Sequence, residues 1–301
     1  MRIAFRSSLA AMFLGLACGK DSPGDSGSDN TLPSIEAAEI QPLPAFENTV
    51  LSCVGVGWSD PDGDSPYYAL EWRVNGEVVS TNAEIDGTVF DKSDAIECVL
   101  TPLDSGGEGE SKTASAVVQN TLPRADSVAI DPDPLTVENT ARVRVFGELD
   151  EDSDAVAWSH VWWVNGVSVS TDPLLSGDVL VRGDRVMAES TPNDGEENGD
   201  PLISEEVEVG NAAPSVVALS IYPAMPAPSD LLAAIVSTDD ADGDAVEVTY
   251  SWSVNGVSVG NEATLSGVFG AGDSVVVRVR PFDGLDEGLE ETSDPVEILP
   301  E

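Results

Sequence analysis

"WSDPDGDSPYYALEWRVNG", residues 58–76, places an acidic loop in front of an alternating apolar run and closes on Asn-Gly. Tyr68, Leu70, Trp72 and Val74 fall two apart, the spacing of a strand with one buried face. Asn75-Gly76 follows at once. Both residue types tolerate positive φ, so the pair predicts a tight type I′ hairpin, with "EVVS" as the returning strand. The stretch recurs. "WWVNG" begins at Trp162 and "WSVNG" at Trp252, each 90 residues after the one before. Trp158, His160, Trp162 and Val164 repeat the inward set, as do Val248, Tyr250, Trp252 and Val254.

Other markers recur in the same order. Asp60, Asp62 and Asp64 return as Asp150, Asp152 and Asp154, then as Asp240, Asp242 and Asp244. "NTLP" at Asn30 and Asn120 becomes "NAAP" at Asn211, and "TPLDSG" at Thr101 becomes "TPNDG" at Thr191 and "RPFDG" at Arg280. A period near 90 residues is too long for a solenoid unit and suits a self-sufficient β-sandwich. The expected fold is all-β: three tandem immunoglobulin-like sandwiches over 30–119, 120–210 and 211–301. Frequent Gly and Pro fit many turns, and the prolines of "IQPLP" and "IDPDP" fit an interrupted edge strand.

The N-terminus reads separately. Arg2 and Arg6 precede an apolar run from Leu9 to Ala17, a secretory signal too short to span a bilayer. "LGLAC" resembles a bacterial lipoprotein box, although Gly15 stands where Leu is usual. The resemblance implies cleavage after residue 17 and a lipid on Cys18, the alternative being an ordinary secretory signal. Residues 18–29, rich in Gly, Ser and Asp, read as a flexible tether with a reach of roughly 20 Å. With Cys18 acylated, Cys53 and Cys98 remain as one pair in an oxidising compartment. Val143 and Ala188 stand at their positions in the second copy, and Ala233 and Val277 are matched to them in the third. Small apolar residues exchanging with both cysteines suggest a bridge through a core. Cys…Trp…Cys on successive strands resembles the immunoglobulin-like arrangement.

Taken together, "NTLP…DPDGD…Y…WRVNG…C…TPLDSG…VVQNTLP" resembles the tandem immunoglobulin-like or PKD-like repeats of extracytoplasmic bacterial lipoproteins. PKD domains follow the Trp with a Gly-Asp-Gly turn where Val-Asn-Gly stands here, so the immunoglobulin-like description fits better. The resemblance implies a non-enzymatic stalk, spacer or adhesion module, lipid-anchored on the outer membrane or cell surface, whose ligand is an unidentified protein or glycan.

Lys plus Arg number 13 against 55 Asp plus Glu, a formal charge of −42 that excludes nucleic acid and anionic lipid surfaces as partners. The charge favours cations. Carboxylates two apart on a loop can surround calcium, which takes six to eight oxygens. The EF-hand pattern fails: Ser65, Ala155 and Ala245 stand where its Gly belongs, and its final Glu is met by Glu71 but not by Val161 or Ser251. In an immunoglobulin-like sandwich, however, the loop before the Trp strand shares an end with the loop after the second-Cys strand. That adds Asp104, Asp194 and Asp283 to the three acidic loops as a junctional calcium site that would stiffen the array. The competing reading is that Asp, Gly and Pro here are ordinary solvated turn residues.

Catalysis finds little footing. His160 is the sole histidine, and its counterparts are Leu70 and Tyr250, as expected of a strand residue. Carboxylates in polar turns stay ionised, whereas an acid catalyst needs a raised pKa. Trp163, opposite in phase to the inward set, is expected to face outward, and a carbohydrate-binding module is the alternative it would serve. Gly183-Asp184 and Gly272-Asp273 read as turns.

Overall fold

The computed structural model describes residues 30–300. The signal segment, Cys18 and the tether fall outside them. The described chain gathers into two compact units, residues 30–45 with 49–118 and residues 46–48 with 119–300. Apart from one short 3-10 turn, Gly177–Val179, its regular structure is β.

The first unit holds repeat 1. Its Trp strand is Tyr68–Val74, paired antiparallel with Glu77–Ser80 and with Ala95–Pro102, which in turn pairs with Lys112–Gln119. A second sheet sets Leu51–Val56 between Ala37–Gln41 and Glu84–Ile85. Between the sheets lies a core of Trp72, Leu51, Phe90, Ile96 and Cys98 with their neighbours. Cys53, from one sheet, is bonded to Cys98, from the other, with Cα atoms 6.3 Å apart. The inter-sheet bridge expected from the repeat is present.

The second unit holds repeats 2 and 3, each with its own core, around Trp162 and around Trp252. Repeat 2 joins Thr140–Phe146 to Ser127–Asp131 and Leu174–Ser176 in one sheet. Ala157–Val164 joins Val167–Ser170 and Arg185–Asn193 in the other. Repeat 3 matches with Leu232–Asp239 between Ser215–Tyr222 and Thr264–Leu265, and Glu247–Val254 between Val257–Gly260 and Ser274–Phe282. The architecture is that of immunoglobulin-like sandwiches in tandem.

Periodicity and outcome agree along the Trp strands. Trp72, Trp162 and Trp252 are fully buried, and Val74, Val164 and Val254 nearly so. Each indole Nε1–H donates to a carbonyl ten residues on: Asn82, Asp172 and Glu262, at 3.0, 3.0 and 2.8 Å. The hairpins form as predicted, with φ of 51° and 83° at Asn75-Gly76, 50° and 77° at Asn165-Gly166, and 51° and 81° at Asn255-Gly256. Each Asn amide is fixed in turn by an aspartate of a later turn: Asn75 Nδ2 donates to Asp94, Asn165 to Asp184 and Asn255 to Asp273, all at 2.7 Å. Gly183-Asp184 and Gly272-Asp273 are therefore turns that also hold the hairpins.

One expectation is off by a residue. Trp72 lies opposite Cys98, Trp162 opposite Ala188 and Trp252 opposite Val277, the three residues matched from the sequence. Cys53 faces Ile40 and Val143 faces Ile130, but the residue facing Ile221 in repeat 3 is Ala234, not Ala233. The opening Asn lies 91 residues after its predecessor there rather than 90. A one-residue slip moves a strand position to the opposite face, and Ala234 is the one packed on the core.

The last strand distinguishes the copies. In repeat 1 it is continuous, Lys112–Gln119. In repeat 2 it splits into Leu202–Ile203 and Val207–Glu208, and in repeat 3 into Glu291–Thr292 and Val296–Glu297. A buried serine spans each break. Ser204 Oγ accepts from Ala188 N at 3.0 Å, and Ser293 Oγ accepts from Val277 N at 3.1 Å. These hydroxyls satisfy core-strand amides that the broken strand cannot reach.

Candidate functional site

The acidic loops end the strands that lead to each Trp. The first carboxylate of each folds the loop on itself: Asp60 Oδ1 accepts from Asp62 N at 2.7 Å, Asp150 Oδ1 from Asp152 N at 2.9 Å and Asp240 Oδ1 from Asp242 N at 3.0 Å. The second reaches the repeat's opening segment. Asp62 Oδ2 accepts from Thr31 N at 2.6 Å, Asp152 Oδ2 from Thr121 N at 2.5 Å and Asp242 Oδ2 from Ala212 N at 2.7 Å.

The later aspartate ties the same segment from the other side. Asn30 Nδ2 donates to Asp104 Oδ2 at 2.9 Å, Asn120 to Asp194 and Asn211 to Asp283, both at 2.7 Å. The other oxygen of each closes its own turn, as Asp194 Oδ1 does on the amides of Glu196 and Glu197. Two acidic loops therefore clamp one opening segment, three times over. Asn30, Asn120 and Asn211 escaped attention as functional positions, although the constant company of "NT" or "NA" with the aspartates was a usable signal.

These bonds set the charge state. The Asn30 amide holds the Asp104 carboxyl below its ordinary value, and the Asn211 amide does the same for Asp283. At Asp194 burial pushes upward, but the Asn120 amide and backbone donors outweigh it and the net shift is downward. All three are anions at neutral pH.

Hydrogen bonds leave some carboxylate oxygens over. Asp60 Oδ2, Asp150 Oδ2, Asp240 Oδ2, Asp152 Oδ1 and Asp242 Oδ1 are buried and accept no hydrogen bond from the protein. Asp60, Asp64 and Asp104 bring ligand oxygens within 4.8 Å of one another, as do Asp150, Asp152 and Asp154. In repeat 1 the gathered oxygens come from both loops, without Asp62. In repeat 2 the gathered set lies within one loop, while Asp194 is engaged by Asn120. In repeat 3 the loop meets a guanidinium. Both Arg182 terminal nitrogens donate to Asp244, Nη1 also donates to Asn211 Oδ1 at 2.6 Å, and it lies 3.7 Å from Asp242 Oδ2. Hydrogen bonding to Asp244 raises the Arg182 pKa further above its already high value.

The other singled-out residues take structural places. His160 is half-buried, its Nδ1 2.9 Å from Ser190 Oγ, and burial lowers its pKa, so the ring is neutral at pH 7. Trp163 is half-buried, with its indole nitrogen shut off from solvent. On the adjacent strand its register partner is Met187.

No protein-family model matches the chain, and no curated protein matches it. Solved structures similar to it include the FN1–FN3 domains of chicken CNTN1, at 10% identity and a TM-score of 0.30, covering 87% of this chain and 97% of that one. Domains A168–A170 of titin are similar at 11% and 0.33, covering 89% and 99%. The eight N-terminal Ig domains of Down Syndrome Cell Adhesion Molecule match at 13% and 0.33, covering 88% of this chain and 37% of that one. At that level the likeness assigns no roles to residues. The class, tandem immunoglobulin-like β-sandwiches, rests on the sheets and registers described above.

Proposed function

We propose that the protein is a non-enzymatic spacer or adhesion module of the bacterial cell envelope, held at the outer membrane or cell surface by a lipid on Cys18. The observation that carries this reading is the threefold repetition of one self-contained sandwich. Its only histidine is a neutral strand residue, and the aspartates of its acidic loops clamp backbone amides. A repeated fold with interchangeable side chains at matched positions provides length and surface rather than a unique reacting centre. The partner is a protein or glycan.

Calcium is the finer part of the proposal. The closely gathered oxygens of Asp60, Asp64 and Asp104 and of Asp150, Asp152 and Asp154 support it, together with buried oxygens that the protein leaves without donors. Such modules bind calcium on the order of 0.1–1 mM. The alternative of a carbohydrate-binding module loses support from the half-burial of Trp163.

The anchor is tested by fractionating cells that express the full chain or Cys18→Ser. The expected outcome is transfer of the variant from the membrane fraction to the soluble extracytoplasmic fraction. An unchanged distribution would remove the anchor from the proposal.

A further inference from the structure

The third acidic loop has a basic side chain of the preceding repeat, Arg182, seated in it. Among the described residues, carboxylate groups gathered closely enough for a metal occur in repeats 1 and 2, and Asp240, Asp242 and Asp244 do not form a third. We propose that Arg182 is the resident cation of this loop: a guanidinium from repeat 2 that takes the place of a metal and fastens repeat 3 to repeat 2 without one.

The geometry is that of a built contact. Arg182 projects from a short turn that is fixed on both sides. Val181 N donates to Asp184 Oδ2 at 2.9 Å, Asp184 N to Val181 O at 3.0 Å and Gly183 N to Val209 O at 2.8 Å. Gly183 has φ of 89°, so the turn that presents the arginine calls for glycine at that point. The backbone is thus fixed before the side chain docks, and only the rotamers of Arg182 remain to be ordered. An ordinary surface pair must order two free side chains and gains little for it.

The guanidinium fork spans both Asp244 oxygens and reaches Asn211. Planar, bidentate recognition of this kind suits arginine and not lysine. Beneath it, the Asp242 side chain is only 2% exposed, yet its Oδ1 has no donor. A nearly enclosed anion of that kind needs a positive charge close by, and Arg182 is the one at hand, 3.7 Å away.

The contact also closes on the linker. Asn211 accepts from Arg182 and donates to Asp283 and Asp286, while Ala212 N donates to Asp242. The guanidinium therefore braces the carboxylates that hold the residues joining the two repeats. Repeat 3 has Ala271 at the matching point of its own turn, Gly270–Asp273, and carries no such fork.

The test is amide hydrogen exchange across residues 210–213 of the full chain in EDTA. Arg182→Ala and Asp244→Asn should each speed exchange there by about tenfold, as loss of one charge-assisted contact predicts. The double variant should be no faster than either single one, and Arg182→Lys should fall between wild type and Arg182→Ala. Unchanged exchange in Arg182→Ala, or additive effects in the double variant, would overturn the proposal. A calcium titration is the second arm. Asp242→Asn in the otherwise unaltered chain should leave calcium uptake as it was, and a lost site would make this loop a metal centre. If the protein takes up no calcium at all, the calcium part of the proposed function fails, while the exchange cycle in EDTA still decides the role of Arg182.

Discussion

Ser204→Ala removes one oxygen from repeat 2 and should cost far more than its size suggests. Ser204 is 5% exposed, and Ala188, whose amide donates to its hydroxyl, is fully buried. The hydroxyl passes its own proton to Glu205 O at 2.8 Å. The variant leaves the Ala188 N–H in the core, opposite Trp162, without an acceptor. A buried donor left unpaired costs about 1–3 kcal/mol. The space vacated by one oxygen is too small to admit a water that could repair the loss. A domain of this size loses about 4–8 °C of melting temperature per kcal/mol, so the repeat 2 transition should fall by roughly 4–24 °C. Calorimetry of the full chain in EDTA measures this, and hydrogen exchange over Arg185–Asn193 assigns the transition to repeat 2. Ser293→Ala should act alike on repeat 3 through Val277. Ser115→Ala, on the exposed side of the continuous last strand of repeat 1, is the control and should stay within about 0.5 kcal/mol. If Ser204→Ala were as silent as Ser115→Ala, the serine would not be what repairs the broken strand.

Reduction of Cys53–Cys98, which closes a separation of 45 residues, should destabilise repeat 1 by up to about 4 kcal/mol on the chain-entropy model. Urea unfolding with and without reductant should move the repeat 1 midpoint alone, and an equal shift in repeats 2 and 3 would contradict the autonomy of the cores. Acid should weaken all three repeats, because Asp104, Asp194 and Asp283 have carboxyl pKa values held below the ordinary 3.8 in the folded state. The stability they contribute is present above that value and is lost as pH falls through the lower folded values. Urea midpoints measured from about pH 5 downward should therefore drop below about pH 4, and should drop less in Asn30→Ala, in which one of these carboxyls loses its amide donor.

The Trp strands, the hairpins and the inter-sheet bridge were legible because each follows from a local rule. Alternation marks the buried face, Asn-Gly marks the turn, and a Cys pair replaced by small apolar residues marks two opposed core positions. What could not be read depends on partners distant in the chain. The recurrence of Asn120 beside its aspartates hints at a role, but no local rule says that its amide will reach Asp194, 74 residues on. Ala234 displaced Ala233 because a single added residue is invisible to a fixed period yet reverses a face. Alternation separates Trp163 from the buried Trp162 and Val164, but it does not give the degree of burial, and the ring is half-buried.

The carboxylates of the opening stretch are neither plain turn residues nor a ready-made metal cage. In each loop one oxygen of the first two aspartates is spent on backbone amides, which fixes the fold whether or not a cation is present. A buried oxygen left over on the same group is then held where it cannot turn to water, and a half-satisfied anion in a sheltered place attracts positive charge from any source. The chain carries −42, so each such loop also sits in a repulsive field that a cation relieves. Repeat 3 meets the demand from within, through Arg182. On the calcium proposal, a loop filled by the ion would follow the calcium concentration around it, whereas the Arg182 contact persists when calcium is gone, so repeats 2 and 3 stay joined at this point in EDTA.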